Sequence, residues 1–198
     1  MRKVKDYYFN KAKQDNYPAR SVYKLEEAQK KYNFLRHGDV VLDLGCQPGS
    51  WSMYAARIVG PQGLVVAVDL KEVKKTSIPG AAEIVWLCQD ITAVDAITVL
   101  QRIATDFRVV LSDMAPRTSG NKWVDQQQSL RLARRSLEIA EQLLGKGGNY
   151  YCKVFQGEDV PEFINDVRGR FMTTRTFKPK SSRTESREVF ILGMDYLH

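Results

Sequence analysis

The segment Asn149–Gly157, NYYCKVFQG, sets a lysine inside a short apolar run that reads as a strand. A lysine buried there must shed its charge, find a partner or snorkel to water. For Lys153, between Cys152 and Val154, only snorkelling is chemically bland. A second set of candidates appears at the ends of four apolar runs. VVLD closes near Asp43, VVAVD at Asp69, VWLCQD at Asp90 and VVLSD at Asp113. One such aspartate is commonly a turn former or helix cap. Four in succession predict a carboxylate-lined edge, because ligands of open parallel sheets bind outside the carboxyl ends of the strands.

The first of these runs is followed by GCQPGSW. Gly45, Pro48 and Gly49 make a turn that brings backbone close to a ligand and opens a helix N-terminus. The spacing is not G-x-G-x-x-G, which weakens a dinucleotide reading. Asp69 is placed to accept hydrogen bonds from ribose hydroxyls, a role shared by NAD and S-adenosylmethionine (SAM) proteins. Asp90 could reach an adenine amino group. Trp51 either lines a methionine or nucleoside pocket or packs its helix on the sheet.

The elements that would position these residues alternate along the chain. SVYKLEEAQKKY, residues 21–32, spaces Val22, Leu25 and Ala28 on one helical face behind a serine cap. DVVLDLG, GLVVAVDL, EIVWLCQD, FRVVLSDMA and NYYCKVFQG predict strands. Between them lie the helical segments WSMYAARIV, TAVDAITVLQRIA and DQQQSLRLARRSLEIAEQLL, the last stopped by the glycines of GKGG. PEFINDVRGRF is a helix with proline near its first turn. TTRTFKP and EVFILGM are closing strands joined by the basic loop KSSRTESR. Apolar runs with intervening helices imply a doubly wound α/β fold, a seven-stranded and mostly parallel sheet. The last strand, reached without a helix, runs antiparallel.

Length and charge narrow the possibilities. A chain of 198 residues suits a single domain over 1–198, with a basic leader over 1–20 whose order the sequence leaves open. The net charge of +7 is uneven. Residues 1–36 hold ten Lys/Arg against four acids, and residues 175–187 hold five against one. Two basic segments flanking a slightly acidic body predict a polyanionic partner, nucleic acid first and anionic membrane second. No stretch approaches the roughly 18 apolar residues of a membrane span, and the N-terminus lacks a signal-peptide core. A cytoplasmic protein is expected. Cys46, Cys88 and Cys152 are predicted to be buried thiols, and with two histidines no zinc site is expected.

DLGCQPGSW, VDL, LSDMAPRTSG, KVFQGE and SSRTESREVF, in this order, resemble the FtsJ-type family of SAM-dependent RNA ribose 2′-O-methyltransferases, whose bacterial branch modifies large-subunit ribosomal RNA. The similarity runs from about Arg20 to the last strand, and the S-D-M-A-P and K-V-F-Q-G segments are its most specific parts. It implies a Rossmann-like methyltransferase fold and SAM as cofactor. It also implies ribosomal RNA or the large ribosomal subunit as partner and uridine as the target. The family's catalytic set falls on Lys24, Asp113, Lys153 and Glu188, with Lys153 as general base. Its cofactor contacts fall on Gly49, Trp51, Asp69, Asp90 and Asp113, within the turn that also holds Gly45 and Pro48. No metal is implied. The chain departs from the family's usual pattern at Cys46 and Gln47, where small residues are usual, and at Ser50, where glycine is.

By themselves Lys24 reads as a solvated ion-pair residue on its helix and Glu188 as an edge-strand charge. Tyr7, Tyr8, Phe9 and Tyr17, interleaved with cations, suit RNA stacking or core packing, and Arg131, Arg134 and Arg135 would extend the basic surface. Competing readings are the same chemistry on tRNA, a non-catalytic SAM-binding RNA-associated protein, and an NAD-dependent oxidoreductase. A monomer is expected.

Overall fold

The computed structural model describes residues 2–198, with side chains from Tyr7 onward. Helices α1 (Arg2–Gln14) and α2 (Val22–Tyr32) precede β1 (Val40–Leu44), α3 (Ser50–Val59), β2 (Leu64–Asp69) and β3 (Glu83–Cys88). Then come α4 (Ala96–Gln101), β4 (Phe107–Ser112), α5 (Lys122–Leu143) and β5 (Leu144–Phe155). The chain closes with α6 (Val160–Arg168), β6 (Phe171–Phe177) and β7 (Glu188–Tyr196). They build one seven-stranded sheet in the order β3-β2-β1-β4-β5-β7-β6. Strands β1 to β5 pair in parallel, and β7 runs antiparallel between β5 and β6.

Side chains alternate across a strand, so each central strand feeds two cores. Leu42, Val66, Val110, Tyr150, Cys152 and Ile191 pack with the layer of α4, α5 and α6. Val41, Val65, Val109, Tyr151, Phe190 and Leu192 pack with α2, α3 and Ala12 of α1. Lys153 has the parity of Tyr151 and therefore stands on the α2 side. Because β7 is antiparallel, its first residue, Glu188, starts at the edge where β5 ends, and Phe155 pairs with Glu188 in the register.

Several local expectations are corrected. Ser21 sits before α2, but its hydroxyl makes no capping bond. The start of α2 is held from the sheet side, where Trp51 Nε1 donates to Ser21 O (2.8 Å) and the Tyr151 hydroxyl to Lys24 O (3.2 Å). The glycines of GKGG do not end α5. Leu144 turns directly into extended backbone and the glycines belong to β5. Helix α5 also begins earlier than predicted, at Lys122, where the Asn121 side chain accepts from Trp123 N and Val124 N. Strand β3 is the sheet's edge, so it is only partly covered, and Cys88 at its end is exposed, whereas Cys46 and Cys152 are buried. Among the described residues no helix is long and apolar enough to cross a membrane.

Candidate active site

At the carboxyl edge of the parallel strands, the two lysines singled out in the sequence each meet a carboxylate. Lys153, 7% exposed, donates from Nζ to Asp113 Oδ1 (2.8 Å) and to the Asp113 carbonyl (2.6 Å). Asp113 follows the end of β4, and its own N–H bonds Leu44 O of the neighbouring strand. Lys24, in the first turn of α2, donates to Glu188 Oε2 (2.7 Å). Its ammonium also lies 5.7 Å from the Phe190 ring centre. Phe190 is Lys153's partner in the β5–β7 register, so Glu188 is one diagonal step from Lys153 on the same face. Two ion pairs, from residues 164 and 40 positions apart in the chain, thus share one side of one sheet edge.

An aromatic stack supports them. Trp51, Tyr151 and Phe190 lie with ring centres 5.0–5.9 Å apart under the start of α2. Their packing and the two bonds to Ser21 O and Lys24 O fix where Lys24 stands. Ser50 is also used here, since its hydroxyl accepts from Ala19 N at 2.8 Å.

Beside the ion pairs a cleft of about 460 Å³ is lined by Gly45, Gln47, Asp69, Asp90 and Asp113, with apolar walls from Val68, Leu70, Ile91, Met114 and Leu132. That volume lies within the usual range for small-molecule sites. Asp69 accepts from Gln47 N and Lys71 N, both at 3.0 Å, which holds its carboxylate against the glycine turn. Asp90 accepts from the amide and hydroxyl of Thr92, and these bonds hold its carboxyl below the usual range. Gly45 adopts φ +77°, and a Cβ there would come within 2.6 Å of Met114 Cγ, so the cleft floor needs glycine.

The fourth strand aspartate is not part of this edge. Asp43 is fully buried and accepts from the Ser52 hydroxyl at 2.6 Å. Burial pushes its carboxyl up to about 7, and the charges of Asp113 and Asp69 act in the same direction. Three of the expected cofactor positions also lie outside the cleft walls. Pro48 is exposed in the turn. Gly49, at φ +104°, starts α3 where a Cβ would meet Trp86 at 2.8 Å. The Trp51 indole is committed to the core. Packing therefore claims the Trp51 side chain.

A family model described as FtsJ-like methyltransferase matches residues 17–196. The chain belongs to that family. As a member of the FtsJ-like methyltransferases it is an enzyme of methyl transfer. A relative from Desulfotalea psychrophila, named ribosomal RNA large subunit methyltransferase E, is 57% identical over 196 residues, 99% of this chain and 98% of its own length. One of the same name from Desulfosudis oleivorans is 48% identical over 192 residues, 97% of this chain and 91% of its own. A Plasmodium falciparum crystal structure, whose name is that of a ribosomal RNA methyltransferase, superposes with a TM-score of 0.74 at 27% identity. That match covers 91% of this chain and 99% of the other.

The FtsJ-like fold here also brings in residues that sequence reasoning had not assigned singly. Arg20, Ser21, Arg183 and Ser186 join Lys24 and Glu188 around a second cavity of about 210 Å³. Arg20 Nη2 donates to Ser181 O at 2.5 Å, tying the loop before α2 to the loop before β7. The concentration of cations in residues 1–36 and 175–187 was the available signal. Of the leader aromatics, Tyr8 packs on Tyr23 and Tyr17 near Tyr54, whereas Tyr7 and Phe9 remain exposed. Arg134 and Arg135 on α5 pair with Glu162 and Glu138.

Proposed function

We propose that this enzyme transfers a methyl group from SAM to the ribose 2′-hydroxyl of a uridine in large-subunit ribosomal RNA, with Lys153 as general base. The observation that carries the reading is the pairing of Lys153 with Asp113, which lines the cleft, and of Lys24 with Glu188, which line the smaller cavity, on one side of the same sheet edge. Two large-subunit ribosomal RNA methyltransferases alike over nearly their whole length support the substrate class.

The cleft's residues fit a cationic adenosine compound. Asp69 offers a fixed acceptor for ribose hydroxyls, Asp90 an acceptor beside the apolar wall of Ile91 and Met114, and Asp113 a negative charge. Gly45 lets the backbone approach. Pro48, Gly49 and Trp51 contribute by shaping the turn and starting α3. When bound, SAM supplies an electrophilic methyl on a sulfonium, so the acceptor needs activation but no metal. In its amine form Lys153 takes the 2′-hydroxyl proton, a step worth roughly 10²–10⁴-fold in rate. The ammonium that results is held by Asp113 Oδ1 and the Asp113 carbonyl, as in the structure. Lys24 and Glu188, neutralising one another, orient the acceptor ribose in the smaller cavity, and Arg20 and Arg183 face its phosphates. One chain carries the whole set, so a monomer suffices, working in the cytoplasm where large subunits form.

The test is transfer of labelled methyl from SAM to undermodified large ribosomal subunits, with Lys153→Ala alongside. Ribose methylation is read as resistance of the adjacent phosphodiester to alkali, since cleavage needs a free 2′-hydroxyl. Transfer by wild type and none by the variant is expected. Transfer to tRNA and not to ribosomal RNA would replace the substrate. SAM binding without transfer to either would leave only a binding protein.

A further inference from the structure

Most large apolar side chains exposed on the described surface, such as Val94 and Met172, stand singly, which is ordinary for a soluble domain. Trp123 differs in place and in company. The residue is 68% exposed in the first turn of α5, directly after the loop that leaves Asp113. That loop is tightly held. Asp125 accepts from the amide and hydroxyl of Ser119 at 2.6 and 2.8 Å, and Asn121 accepts from Trp123 N at 3.0 Å. Arg187 reaches across from the start of β7, donating to Lys122 O (3.1 Å) and Gln156 O (2.6 Å). Gly157, four residues past Lys153, packs against the Gln126 side chain one turn along α5. The backbone that carries the indole is therefore held at the rim formed by the ends of β4, β5 and the start of β7.

Lys122 directly precedes Trp123, Arg187 reaches the Lys122 carbonyl, and Arg117, earlier in the same loop, is exposed and lines the cleft. The nearby carboxylates are Asp125 and Asp159, bonded to Ser119 and Gln127, and the exposed Glu158. Among the described residues Arg117 and Lys122 make no ion pair. The rim also belongs to the α5 side of the sheet, whereas Lys24, Arg20 and the leader lie on the α2 side. A nucleotide drawn to the strand ends is thus approached from two faces. On the α5 face a rigid, exposed ring beside cations suits an unpaired base with phosphates on either side.

We propose that Trp123 is a stacking platform for an unpaired RNA base next to the target nucleotide, with Lys122 and Arg117 facing the flanking phosphates. The proposal rests on RNA being the acceptor, as argued above. Binding of protein-free ribosomal RNA from undermodified large subunits, and of a perfect RNA duplex, is measured for wild type, Trp123→Ala and Trp123→Tyr. Trp123→Ala should weaken ribosomal RNA binding roughly 5- to 150-fold, the range that stacking of about 1–3 kcal/mol per base converts to. Duplex binding and SAM affinity should stay unchanged, and Trp123→Tyr should keep most of the affinity. Tryptophan emission should fall on adding ribosomal RNA to wild type and not to the alanine variant. Ribosomal RNA binding by Trp123→Ala within twofold of wild type overturns the proposal, as does an equal loss on duplex. A defect seen on assembled subunits and not on bare RNA would assign the ring to a ribosomal protein instead. If wild type neither binds nor methylates ribosomal RNA, the substrate reading falls first and the platform with it.

Discussion

Replacing Lys153 with methionine keeps the length of the side chain and removes the ammonium. Two acceptors, Asp113 Oδ1 and the Asp113 carbonyl, then lose their donor. A fully buried pair broken this way costs about 3–5 kcal/mol. Here the Asp113 side chain is 18% exposed and faces the cleft, so water can replace part of the lost interaction. The expected destabilisation is therefore about 1–3 kcal/mol. The catalytic effect should be larger in consequence. Loss of a general base is worth roughly 10²–10⁴-fold in rate, or about 3–5 kcal/mol of barrier. Single-turnover methyl transfer at saturating SAM separates this from binding, and urea unfolding gives the stability term. The double variant Asp113→Asn/Lys153→Met separates the two roles again. With no unpaired carboxylate left, its stability should return to within about 1 kcal/mol of wild type, whereas transfer should stay lost. A folded, SAM-binding Lys153→Met that transfers methyl within tenfold of wild type would refute the general-base assignment.

Three further outcomes follow from the same geometry. Asp69→Asn keeps one acceptor where the carboxylate serves Gln47 N and Lys71 N, so SAM affinity measured by calorimetry should fall roughly 10- to 100-fold, with RNA affinity unchanged. Gly45→Ala forces a side chain into φ +77° against Met114 and should cost at least about 2 kcal/mol in urea unfolding, along with SAM binding. Asp43 holds its proton up to about 7 in the folded chain, against about 4 when unfolded. The folded state thus binds the extra proton between those values, and stability is lost as pH rises through them, by up to about 4 kcal/mol. Asp43→Asn should flatten that slope in unfolding midpoints taken from pH 5 to 8, and an unchanged slope would place the proton elsewhere.

By itself the sequence determined the alternation of strands and helices, because apolar runs and glycine or proline punctuation are local signals. It also located the cleft, since aspartates closing successive parallel strands must gather at one edge. Asp69, Asp90 and Asp113 do so. Asp43 does not, because one residue of strand beyond it turns its side chain into the core, and periodicity cannot say where a strand stops. The end of α5 is legible to within a residue, but GKGG fits a helix terminus and a strand start equally well, and its glycines belong to β5. What only the tertiary structure decided is the pairing of charges. Lys24 and Glu188 look like surface residues in their own segments. They become partners because β7 inserts antiparallel beside β5, bringing its first residue to the sheet edge, and because Trp51 and Tyr151 pin the start of α2 above it. Trp51 shows the same limit from the other side. Its place after the glycine turn suggests the cleft, but the side chain points to the aromatic core. Direction across a sheet is set by packing between distant segments, which no single stretch of chain contains.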